Sequence, residues 1–134
     1  MRGTKNRTIR ILGGLWLALG VVAFTRALLT IAQFKNDPGD FSLFWGMLVT
    51  IHVVNGWALL RRHPKARPLL AISSFVLGIL YAPALFPPPG YTGAGLFVHL
   101  GNSAPLLVLV ASLWLTFSRR GKEMLGSYMA SANG

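Results

Sequence analysis

Cysteine is missing from the 134 residues of this chain, and acidic residues number only three. The first absence excludes disulfide scaffolds, thiolate metal sites, cysteine nucleophiles and lipoprotein attachment. Charge of either sign is scarce: 12% of residues carry it, where a soluble domain has roughly 25%. The charge present is one-sided, thirteen Lys or Arg giving a formal net charge of +10. Such a surplus is one mark of nucleic-acid binding. Here it accompanies 53% hydrophobic residues and a mean hydropathy of +0.54, more apolar surface than a soluble basic domain can hide. The composition points to the bilayer as partner and away from nucleic acid.

What is there is four apolar blocks, each near the roughly 20 residues that cross a membrane. They run from about Ile11 to Phe34, Phe41 to Leu60, Pro68 to Phe86, and about Gly95 to Phe117. Backbone polar groups in lipid must be satisfied within their own segment, so each block is expected to be a helix. The separators Lys35 to Asp40 and Pro87 to Gly93 are turn-forming, helix-breaking runs. The expected fold is an all-α integral membrane protein, a single four-helix bundle over residues 1–134, with 118–134 as a tail.

The basic residues set the orientation. Arg2, Lys5, Arg7 and Arg10 precede the first span, Arg61, Arg62, Lys65 and Arg67 fill the central connection, and Arg119, Arg120 and Lys122 follow the fourth. If all four blocks cross, these eleven share one side, while the other holds Lys35 with Asp37 and Asp40. Short basic segments stay cytoplasmic, so both termini are expected inside a bacterial inner membrane. Trp45 and Tyr91 fall at outer ends and Trp114 near an inner one, as aromatic-belt residues do. Thr30-Ile31-Ala32 before Gln33 imitates a signal-peptide cut, but the apolar stretch is too long and Arg26 interrupts it.

Polar groups within spans are the default functional candidates. Counted from the inner ends at about 1.5 Å per residue, His52 lies about 13 Å deep, and Asn55, Ser73 and Ser74 about 9–10 Å. Arg26, Asn102 and Tyr81 lie at about 21–25 Å and His99 at about 30 Å. Two layers result: an outer one of Arg26, Asn102, Tyr81 and His99, and an inner one of His52, Asn55, Ser73 and Ser74. His52 and Asn55, like His99 and Asn102, are three apart and share a helix face. A haem or chlorin with one axial histidine is conceivable at either. A bis-histidine site is opposed by a height difference of roughly 16 Å, and interhelical hydrogen bonding is the plainer role. Arg26 is costly in lipid unless it snorkels, pairs or meets an anion.

Small residues at four-residue spacing, Gly14 and Ala18 in the first span and Ser74, Gly78 and Ala82 in the third, are expected to pack helices closely. Pro105 should kink the fourth. Met124, Leu125, Tyr128 and Met129 recur at helical spacing, so the tail is either a surface amphipathic helix or frayed. A shift of 58 residues superimposes Arg61-Arg62 on Arg119-Arg120 and Leu19-Gly20 on Leu77-Gly78, an accident of topology rather than a repeat.

No acid lies within a span, so the embedded carboxylate on which small proton-coupled exporters rely is missing. No phosphate-cradling glycine loop, zinc-type histidine pair or serine elbow is present, and no motif is specific enough to name a family. The expectation is a non-enzymatic accessory or structural subunit of a larger membrane assembly, without cofactor or metal, meeting other membrane subunits or itself. The alternatives are a homo-oligomeric carrier or channel for a small anion or lipid-like molecule, using Arg26 with Asn102, and a haem- or chlorin-binding protein.

Overall fold

The computed structural model describes residues 2–33, 39–81 and 94–131, with side chains described for 6–29, 31–32, 44–81 and 105–131. Among the described residues all regular structure is helical, with no strand. The order is α1 (Arg2–Gln33), α2 (Gly39–Leu60), α3 (Ala66–Tyr81), α4 (Ala94–Phe117) and α5 (Arg119–Ala130). One stretch, Asn6–Leu29 of α1, is long and apolar enough to cross a bilayer, judged by length and composition. The described apolar parts of α2, α3 and α4 are shorter: Phe44–Leu60, Ala66–Tyr81 and Pro105–Phe117. The chain divides into two compact units, residues 1–66 and 67–134.

The first unit is a helical hairpin. Its buried side on α1 includes Ile9, Gly13, Trp16, Gly20, Ala23 and Ala27, alternating steps of four and three residues. On α2 the matching row is Leu48, His52, Asn55 and Leu59. This is the heptad spacing of helices that cross at a small angle with side chains interlocked. A Cβ on Gly13 would meet Leu59 and Leu60, one on Gly56 would meet Leu17, and one on Gly20 would meet His52 and Val53. Positions rise on one helix as they fall on the other, so the pair is antiparallel. Continued by a turn or so, that register brings Arg7 and Arg10 to the level of the Arg61–Lys65 connection.

α2 ends in a Schellman turn. The His63 N–H donates to the Ala58 carbonyl at 2.8 Å and the Arg62 N–H to Leu59 at 3.2 Å. The residue that must turn left-handed is Arg62, with φ of 53°. Glycine usually takes this position, because a Cβ there costs about 1–2 kcal/mol. Arg62→Gly should therefore stabilise the hairpin by about 0.5–1 kcal/mol, after allowing for glycine's greater freedom when unfolded. A denaturation midpoint unchanged or lowered in the variant would contradict this.

In the second unit α3 starts beside the end of α4, since Arg67, Pro68 and Ala71 share one hollow with Thr116 and Phe117. Pro68 sits in the first turn of α3, where its missing N–H costs no helix bond. α4 is one continuous helix with Pro105 inside it. The tail is helical: Ser118 leaves helical geometry, with ψ of 150°, and its Oγ accepts from the Gly121 N–H at 2.9 Å. That cap starts α5, whose Gly121, Leu125 and Tyr128 are buried. A Cβ on Gly121 would lie 2.5 Å from the Trp114 carbonyl oxygen, so α5 folds back tightly against the end of α4.

Candidate functional site

Of the residues expected in an inner polar layer, His52 and Asn55 lie in the first unit, on the heptad face of α2, which turns both inward; they are 0% and 1% exposed. Each satisfies its own helix first. The His52 Nδ1 meets the Leu48 carbonyl at 2.6 Å, and the Asn55 Nδ2 donates to Ile51 at 2.7 Å. A carbonyl only accepts, so Nδ1 carries the proton in that pair. Across the hairpin the Trp16 ring lies 5.5 Å from the His52 ring, tilted by 51°. This puts an aromatic wall against the imidazole, and glycines at positions 13, 20 and 56 let the backbones close around it. A macrocycle ligated by His52 would have to part α1 from α2.

In the second unit Ser74 is buried and Ser73 half-buried on α3. The Ser74 Oγ has no hydrogen-bond partner among the described residues. Ser112 and Thr116 are buried on α4, their hydroxyls donating to the carbonyls of Val108 and Ser112 at 2.7 Å each. These hydroxyls return to carbonyls of their own helix.

The residues expected in an outer layer are described in part, Arg26 in the first unit and Tyr81 in the second. Arg26 is exposed on α1, one turn from the exposed Val22 and Leu29. Seven residues separate it from the end of α1, or about 10 Å of helix. Tyr81 closes α3 and is half-buried. His99 and Asn102 lie on α4, but their side chains fall outside the described residues, as do Tyr91, Ala82 and the carboxylates of Asp37 and Asp40. Among the described residues no group of three or more His, Cys, Asp or Glu could hold a metal.

Comparison with protein-family models, curated proteins and solved structures finds no match to this chain. The residues themselves therefore carry the functional reading.

Gly14 and Ala18, expected to pack closely, lie on the exposed side of α1, and a Cβ on Gly14 would meet nothing within 4 Å. The close approach runs instead through Gly13 and Gly20. Gly78 of the third-span stripe likewise has open space at its Cβ. Sequence reasoning missed Trp16 as the partner of His52, although its place in the alternating row with Gly13 and Gly20 was a usable signal. Trp57 was also missed. It is exposed one turn before Arg61, with its ring 5.7 Å from His63, at the basic end of the hairpin.

Proposed function

We propose that this chain is a small four-span bundle of a bacterial inner membrane, with both termini and the central connection cytoplasmic. In this reading it works without enzymatic chemistry, as an accessory or structural subunit of a larger membrane assembly. The observation that carries the reading is the distribution of large apolar side chains. All of α1 to α4 turn some outward, among them Val21, Ile72, Phe75, Ile79, Leu107 and Val110, each more than 60% exposed. Meanwhile His52, Asn55, Ser74, Ser112 and Thr116 are buried. In water this arrangement would be an aggregation hazard. In lipid it is ordinary, and the outward faces remain available for lateral contact with other spans.

Supporting the orientation, each unit gathers its described basic residues at one end, Arg26 apart. In the hairpin Arg7 and Arg10 level with Arg61, Arg62 and Lys65, and in the second unit Arg67 lies beside the end of α4, which Arg119 follows. Supporting a structural role, the buried polar groups with described bonds donate to backbone of their own helix, where they offer little to a substrate. No cofactor enters this reading. Gentle detergent extraction with size analysis tests it. The chain should run in a complex with a fixed stoichiometry of other membrane proteins, and isolation as a lone monomer across several mild detergents would overturn it.

The carrier alternative keeps one observation in its favour: Arg26 sits on an outward apolar face, where a second copy would enclose it. On that alternative, Arg26→Gln would abolish anion flux in proteoliposomes without changing helicity; equal flux in both proteins would remove it.

A further inference from the structure

Between α3 and α4 runs an apolar groove with a single charge at one end. Its basic end is a hollow of about 340 Å³ between Arg67 and Pro68 of α3 and Thr116 and Phe117 of α4. A second hollow of about 290 Å³ follows, bordered by Phe75 and Leu113. The two share Ala71 and Phe117, so they are continuous. The Thr116 hydroxyl is committed to the carbonyls of Ser112 and Leu113, which leaves the wall apolar beyond Arg67. Arg67 itself is exposed, and among the described residues no carboxylate pairs with it.

Length and charge together define the occupant. From Arg67 to Val76, the far lining residue on α3, the groove covers nine residues, or about 14 Å along the helix. One leaflet of a hydrocarbon core roughly 30 Å thick is about 15 Å deep. Just past Phe117 come Arg119, Arg120 and Lys122, all exposed; Arg119 pairs with Glu123 at 3.4 Å, and the end near Arg67 keeps a net positive charge. A second copy in the same orientation would bring its own basic end to this place and be repelled. We propose that the groove holds one acyl chain of an anionic phospholipid of the inner leaflet, with the lipid phosphate on Arg67. The guanidinium offers the phosphate a planar, two-pronged set of donors. The bound lipid fills the space between α3 and α4.

This proposal rests on the four-span membrane reading. It is tested with the full chain in a neutral detergent, equilibrated with phosphatidylglycerol or phosphatidylcholine and observed by native mass spectrometry. One phosphatidylglycerol should be retained, with about fivefold preference over phosphatidylcholine, the worth of one basic residue at an anionic surface. Arg67→Gln should erase the preference and Arg67→Lys should keep most of it. Ala71→Leu, which fills the point where the hollows join, should reduce retention of both lipids while far-ultraviolet helicity stays constant. Equal retention of the two lipids, no retained lipid, or an Ala71→Leu variant that separates a dimer instead of losing lipid would each overturn the proposal. Alkaline carbonate extraction separates the two levels. A chain washed off the membrane removes the four-span reading and the lipid site together, whereas one that stays embedded without lipid preference removes the lipid site alone.

Discussion

Gly121→Ala should detach α5 from α4. The added Cβ would fall 2.5 Å from the Trp114 carbonyl oxygen and 2.6 Å from both the Cα and the carbonyl oxygen of Leu115. All three atoms are helical backbone and cannot rotate aside, as the tip of a side chain would. Overpacking costs typically 1–3 kcal/mol and more where nothing yields, so about 3 kcal/mol is expected here. That corresponds to a roughly hundredfold shift toward the undocked helix. Amide hydrogen exchange across residues 119–130 measures it directly, because local opening sets the exchange rate. Gly126 supplies the matched control, being exposed with open space at its Cβ. Gly126→Ala should slow exchange modestly, by the roughly 0.5–1 kcal/mol that alanine adds to a helix interior. If both variants behave alike, α5 is not held by the contact at Gly121.

Gly56→Leu should open the α1–α2 hairpin. A Cβ at that position would already sit 2.7 Å from the Leu17 Cγ and 2.9 Å from the Gly13 carbonyl oxygen. The leucine side chain can rotate, but the Gly13 backbone holds its place, so alanine alone should cost about 1–3 kcal/mol and leucine more. With no native cysteine, a disulfide trap reports the result cleanly. Gly20→Cys with Val53→Cys places two thiols where the helices touch, since a Cβ on Gly20 would be 3.1 Å from the Val53 side chain. Oxidation should bridge them in the parent sequence and fail when Gly56→Leu is added. Gly46, exposed and with no neighbour within 4 Å, is the control, and Gly46→Leu should leave bridging intact. Bridging that survives Gly56→Leu would show that glycine is not what lets these helices close.

These two glycines show what the sequence made legible and what it hid. The apolar cores of the helices were readable because apolar length is a strong local signal. The starts were less so: α1 begins at Arg2 and α2 at Gly39, ahead of the apolar blocks and, for α2, inside the run expected to break helices. α2 ends at Leu60 and α4 at Phe117, the ends expected from the onset of basic residues. Which face turns inward was much harder to read. A helix that is apolar all round offers no polar stripe to mark its outer side, so size must replace polarity as the cue. On α1 two small-residue patterns overlap, Gly14 with Ala18 at a spacing of four, and Gly13 with Gly20 at a spacing of seven. Only the partner decides between them: His52 and Asn55 on α2 need cover, and Trp16 lies on the same face as Gly13 and Gly20.

The tail repeats the lesson at smaller scale. Met124, Leu125, Tyr128 and Met129 left the tail open between an amphipathic helix and a frayed end, and periodicity does not say whether an apolar edge meets lipid or protein. Leu125 and Tyr128 are buried within the fold. Ser118 and Gly121 were the unread signs, one capping the helix and the other clearing its path. Arg62 was illegible for a different reason: the left-handed turn it makes normally carries Gly or Asn. An arginine there carries a cost in strain; on the proposed membrane reading it adds positive charge at the inner end of a span.

The proposed crossing of the membrane by four spans, basic ends inside, is the claim on which the rest depends, and single introduced cysteines test it most directly. Asn36→Cys and Thr92→Cys, in the connections proposed to lie outside, should react with a membrane-impermeant thiol reagent in intact spheroplasts of a bacterial host. Lys65→Cys and Ser127→Cys, on the basic side, should react only after the membrane is permeabilised. Labelling of Lys65→Cys or Ser127→Cys in intact spheroplasts, or protection of Asn36→Cys and Thr92→Cys, would contradict the account.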